Sequence, residues 1–126
     1  MIIAVDFDGT IAQTDFPVIH EEIPDDGEVL RRLHDSGHYL ILWTCRTGEN
    51  LLCAVNWLLE HNIHFDRIND HNPDNSRMYG AGAGVGAKKV YAHLYIDDKQ
   101  VGGLPAWNDI YEFVRQKEEE YLLKKG

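Results

Sequence analysis

Cysteine and proline are scarce, basic charge is in the minority, and long apolar runs are missing. Only two cysteines, Cys45 and Cys53, occur in 126 residues. Eight positions apart, one at an expected strand end and one in an expected helix, they give no disulfide framework and read as reduced core thiols. No apolar stretch approaches the roughly 18 residues that a membrane-spanning helix needs. The opening Met-Ile-Ile-Ala-Val carries no basic segment of the kind that begins a secretory signal. The expectation is a cytoplasmic protein with no membrane partner. Lysine and arginine number 12 against 21 Asp and Glu, for a formal net charge of -9. The average field therefore repels nucleic-acid backbones and acidic membranes, and nucleic acid is not expected as a partner. A small phosphorylated substrate remains admissible, because a bound cation or a local basic cluster inverts the sign within one pocket.

What is present suits one soluble domain spanning residues 1–126, with 44% hydrophobic and 26% charged residues. Residues 2–5 form a short, largely β-branched apolar run, as in a strand buried on both faces of a parallel sheet. Residues 9–24 show no sustained period and read as a loop or short flap. Asp25 or Asp26 can cap a helix carrying Val29, Leu30 and Leu33, with Gly37 where a C-terminal glycine belongs. Residues 39–43 read as a second strand. Leu51, Leu52, Val55, Leu58 and Leu59 then recur at helical spacing, and residues 65–69 form a weaker strand. Residues 70–86, rich in Asn, Asp and Gly, read as a loop. Residues 93–96 are a further strand, and Trp107, Ile110, Tyr111, Val114 and Tyr121 mark a closing helix. Strands alternating with helices imply an α/β fold: an open three-layer parallel sheet with helices on both faces. Ligands of such sheets bind beyond the carboxyl ends of the strands.

Two pairs of carboxylates fall at such ends. Asp6 and Asp8 follow the first strand in Asp6-Phe7-Asp8-Gly9-Thr10, and Asp97-Asp98 follow the strand at 93–96. Gathering these charges is strongly unfavourable unless a cation sits among them or some are protonated. Oxygen-only ligation with few protein carboxylates favours Mg²⁺, which keeps waters and takes an oxygen from a bound phosphate.

Val5-Asp6-Phe7-Asp8-Gly9-Thr10 resembles the first motif of the haloacid dehalogenase-like superfamily, a strand feeding Asp-x-Asp-Gly-Thr. Leu42-Trp43-Thr44 is similar to the second motif, and Lys89 followed by Asp97-Asp98 resembles the third and fourth. The resemblance spans residues 2–98 and implies a Rossmann-like core hydrolysing phosphate monoesters. In it Asp6 is the nucleophile that forms an aspartyl-phosphate, and Asp8 is the general acid and base, whose presence favours phosphatase over dehalogenase. Thr44 and Lys89 hold phosphate oxygens, with Lys88 the rival for the lysine role. Mg²⁺ is held by Asp6, the backbone carbonyl of Asp8, and Asp97, with Asp98 a ligand through water or an orienter of the shell. Thr10 is expected to brace the loop, and Arg46 either contacts substrate or is solvated or salt-bridged. The segments at 10–25 and 70–87 are too short for a cap domain, so the resemblance is to a minimal, capless member. Such relatives often close their site with a second subunit, which admits a homo-oligomer.

Other signals carry less. Gly82-Ala83-Gly84-Val85-Gly86-Ala87 imitates a dinucleotide fingerprint but lacks the preceding strand, and no Gly-Lys-Ser/Thr follows to make a P-loop. Cys53, His61 and His64 match no zinc spacing. Trp43, Trp57 and Trp107 read as core or pocket-rim residues.

Overall fold

The computed structural model describes residues 1–74 and 88–125. Its elements run β1 (Ile2–Val5), β2 (Ala12–Asp15), β3 (Val18–Glu22), α1 (Asp26–Asp35), β4 (Tyr39–Leu42), α2 (Gly48–Glu60), β5 (Arg67–Ile68), β6 (Leu94–Ile96) and α3 (Trp107–Lys125). This is an α/β fold, as the alternation of strands and helices implies. The apolar β1 pairs in parallel with β4 on one side and β6 on the other, in the order β5-β4-β1-β6. Ladder bonds continue past the strand ends, from Asp6 N–H to the Ile96 carbonyl at 2.9 Å and from Trp43 N–H to the Val5 carbonyl at 2.8 Å. The chain ends that carry the carboxylates and Thr44 are therefore held side by side at the sheet's carboxyl edge.

Alternation along each strand separates two cores. Ile3, Val5, Leu40 and Leu42 join the buried residues of all three described helices, including Leu30 and Leu33, Ala54 and Leu58, and Trp107 and Ile110. On the opposite face Ala4 and Ile41 pack with Val90 and Ala92. The amphipathic stripe of α1 stops where Gly37 adopts φ 92 and donates to the His34 carbonyl, a left-handed conformation that glycine takes without a Cβ penalty.

Several expectations are corrected in detail. Residues 9–24 hold an antiparallel hairpin, β2–β3, with Phe16 and Pro17 at its tip. Its strands are polar and largely exposed, so no apolar alternation announced it. Strand pairing at 65–69 shrinks to Arg67–Ile68. Leu52 and Leu59 share the period of α2 yet stand exposed, because the buried stripe is narrower than the apolar one. Cys45 and Cys53 are free and exposed rather than core thiols. Asp25 precedes α1 at φ 67 with no side-chain cap. Asp26 is fully buried and accepts from the Gly27 N–H at 2.5 Å. The glycine-rich stretch at 80–87 and most of the expected loop at 70–86 lie outside the described residues. No described helix is long and apolar enough to cross a membrane.

Trp107, the first residue of α3, is buried and donates its indole N–H to the backbone carbonyl of Thr10 at 3.0 Å. The closing helix thus pins the turn after β1 as well as filling the core. Trp107→Phe keeps most of the ring and removes the donor. It should lower unfolding free energy by about 1 to 2 kcal/mol, the cost of leaving a buried carbonyl unpaired, seen as a lower urea midpoint with an unchanged slope.

Candidate active site

The turn after β1 is built on Phe7. Its carbonyl accepts from the N–H groups of Thr10, Ile11 and Ala12, and its ring is wholly buried. Gly9 sits at φ 76, and a Cβ there would meet the Asp98 carboxylate, 2.9 Å from its Cγ. Glycine is thus required twice over, by conformation and by space. Thr10, also wholly buried, joins the two acidic loops. Its hydroxyl accepts from Asp98 N–H at 3.0 Å and lies 3.4 Å from both Asp6 Oδ2 and Asp98 Oδ1, either of which can take its proton. The expected brace is there.

One carboxylate oxygen from each of Asp6, Asp97 and Asp98 lies within 4.8 Å of the others. Burial pushes Asp6 up to about 7, the Asp97 carboxylate adds to the rise, a hydrogen bond from the Phe7 backbone opposes it, and Asp98 and Asp8 add further. Lys99 answers part of this charge, with its Nζ 3.7 Å from Asp98 Oδ2 and its backbone N–H 2.9 Å from Asp97 Oδ1. A three-carboxylate, oxygen-only set in which one member resists ionisation fits a hard divalent cation.

The Asp8 side chain points elsewhere. It forms a bidentate pair with Arg46, Nε to Oδ2 at 2.9 Å and Nη2 to Oδ1 at 2.6 Å. Burial works to raise Asp8, but hydrogen bonds from Arg46 and Thr14 and the guanidinium charge hold it below the ordinary carboxylate value. Any contact of Asp8 with a cation in this arrangement falls to its backbone. The choice left open for Arg46 is thereby closed: it is salt-bridged, and only 1% exposed.

Thr44 lies beyond β4, its hydroxyl accepting from Arg46 N–H at 3.1 Å. Asn69 clamps its backbone, the side-chain oxygen accepting from Thr44 N–H at 2.8 Å and the side-chain amide donating to Thr44 O at 2.9 Å. Lys89 meets an aromatic ring. Its ammonium lies 4.8 Å from the centroid of the Tyr95 ring, and among the described residues neither it nor Lys88 forms an ion pair with the four carboxylates. Asn69, Thr14 and Trp107 are supporting residues that the motif reading passed over. Asn69 left a trace in the sequence as a polar residue closing a weak strand, and Trp107 as the first apolar residue of the closing helix.

The fold is similar to that of a conserved protein coded by a locus from Bacteroides thetaiotaomicron. Its solved structure matches with a TM-score of 0.81 at 42% sequence identity, over 93% of this chain and 91% of that one. The chain belongs to that protein's family. No protein-family model matches the sequence, and neither does any curated protein. The match runs over nearly the full length of both chains.

The raised Asp6 carboxyl gives a stability signature. Its folded value, about 7, exceeds the ordinary 3.8, so the folded state holds a proton that the unfolded chain loses earlier. That contribution is complete below about pH 4 and is lost as pH rises through 7. In EDTA, the melting temperature of wild type should therefore fall between pH 5 and pH 8 relative to Asp6→Asn, which has no proton to lose. The buried Asp26, pushed up to about 8 by burial and by Glu22, acts in the same direction in both proteins and cancels from the difference. Identical pH profiles for the two proteins would contradict the strained Asp6.

Proposed function

We propose that the protein is a Mg²⁺-dependent phosphohydrolase of the haloacid dehalogenase-like kind, acting on a small phosphorylated metabolite. The observation that carries this reading is the convergence of Asp6, Asp97 and Asp98 at the carboxyl edge of the sheet, where open α/β sheets bind ligands. The Asp-x-Asp-Gly-Thr turn and the Thr44 loop beside it support it, and the parallel sheet is consistent with it.

In this reading the Asp6 carboxylate attacks phosphorus in line and forms an aspartyl-phosphate, which water then hydrolyses. Asp6, Asp97, the Asp8 carbonyl and, directly or through water, Asp98 would hold Mg²⁺, which when bound would lower anion repulsion and favour the ionised nucleophile. The Thr44 hydroxyl is a donor for a phosphate oxygen. Lys89 supplies a second once it leaves the Tyr95 ring. Asp8, once it has taken up a proton from solvent, protonates the leaving oxygen and later takes a proton from water. Its pairing with Arg46 presents it in the ionised form, which suits the second of these steps. The placement of Lys89 over Tyr95 favours one other reading, a metal-binding domain without turnover.

Phosphate release from a panel of phosphate esters separates the two. Wild type with Mg²⁺ should turn over at least one small ester. EDTA should abolish release, Asp6→Asn should reduce it at least about 10³-fold by removing the nucleophile, and Asp8→Asn about 10² to 10⁴-fold. Mg²⁺ binding with no turnover by wild type would instead support the idle domain.

A further inference from the structure

We propose that Arg46 is a positioning residue, whose guanidinium ties the Asp8 carboxylate to the tip of the β2–β3 hairpin so that the aim of Asp8 and the seat of the hairpin are set together. The catalytic half of this inference rests on the role of Asp8 proposed above; the physical tie does not.

Arg46 is a buried hub that reaches three segments, two of them far from it in sequence. Two of its nitrogens grip both oxygens of Asp8, in the turn after β1. Nη1 donates to the carbonyls of Pro17, at the hairpin tip, and Asn50, in the first turn of α2, each at 3.2 Å. The guanidinium carbon lies 5.3 Å from the Phe7 ring centroid and 5.0 Å from that of Phe16. A planar fork with donors on three nitrogens can serve a bidentate carboxylate and two carbonyls at once, whereas a lysine ammonium offers one point of attachment. The Arg46 N–H meanwhile holds the Thr44 hydroxyl, so the same loop orients a second group of the site.

Because the fork reaches the hairpin while it grips Asp8, disturbing either end of the tie should disturb the other. An arginine serving only as packing, or acting on substrate directly, lacks that reciprocity. Arg46→Lys keeps the charge and most of the packing, and Asp8→Asn keeps the shape but loses the paired charge. The experiment measures these variants and the double variant in two ways: kcat and KM for p-nitrophenyl phosphate with Mg²⁺, and hydrogen exchange of the hairpin amides at 12–22.

Arg46→Lys should lower kcat about 10²-fold, as expected for a displaced catalytic group, with KM changed less than threefold. The double variant should be no slower than Asp8→Asn alone. Hairpin exchange should quicken about tenfold in both single variants, an opening easier by about one decade, while amides of β4 keep their wild-type rates. Multiplicative losses in the double variant would overturn the proposal by showing that Arg46 acts independently of Asp8. Wild-type hairpin exchange in Asp8→Asn would overturn it as well. If wild type fails to turn over any ester while both variants loosen the hairpin, the tie stands and the phosphatase reading falls.

Discussion

Mutual repulsion among carboxylates is the constraint on which the rest of the site depends. Asp6, Asp97 and Asp98 place oxygens within 4.8 Å of one another, where two unit charges at an effective dielectric near 20 repel by about 3 kcal/mol per pair. Parallel pairing of β1 with β6 forces this proximity, because the ladder that buries Ile3 and Val5 delivers both chain ends to one edge. The surroundings are arranged to tolerate it. Gly9 leaves room for the Asp98 carboxylate, the Thr10 hydroxyl bridges the two loops, and Trp107 pins Thr10 from the core side. Together these features hold the carboxylates side by side.

Two aspartates two residues apart are driven in opposite directions by this environment. Asp6 meets burial and like charge and holds its proton upward, whereas Asp8 meets Arg46 and Thr14 and stays ionised. The divergence has a simple origin. The backbone alternates the two side chains between a carboxylate cluster and a buried guanidinium. The same guanidinium donates to the Pro17 carbonyl at the tip of the hairpin that follows β1.

Legibility in the sequence followed the range of the interactions. Strands β1, β4 and β6 and the helices were readable because apolar period is local, and the carboxylate cluster was readable because two acidic pairs each end a strand. The β2–β3 hairpin was not, since Ala-Gln-Thr-Asp and Val-Ile-His-Glu-Glu lack an apolar face. The partner of Arg46 lies 38 residues away, and nothing within its own segment distinguishes a buried bidentate arginine from a solvated one. The Asn69 clamp on Thr44 spans 25 residues and depends on the pairing of β4 with β5, a strand too short to announce itself. Lys89 shows the converse. Its position in the motif series was clear, but its direction depends on Tyr95, which sequence order alone does not orient.

The central claim, that the three converging carboxylates form a divalent-cation site, is tested most directly by calorimetric titration of Mg²⁺ into wild type and Asp97→Asn at pH 8, where Asp6 is ionised. One site per chain in wild type, weakened at least about tenfold in the variant as expected for loss of a carboxylate ligand, is the result this account requires. No binding by wild type, or equal affinity in the two proteins, would contradict it.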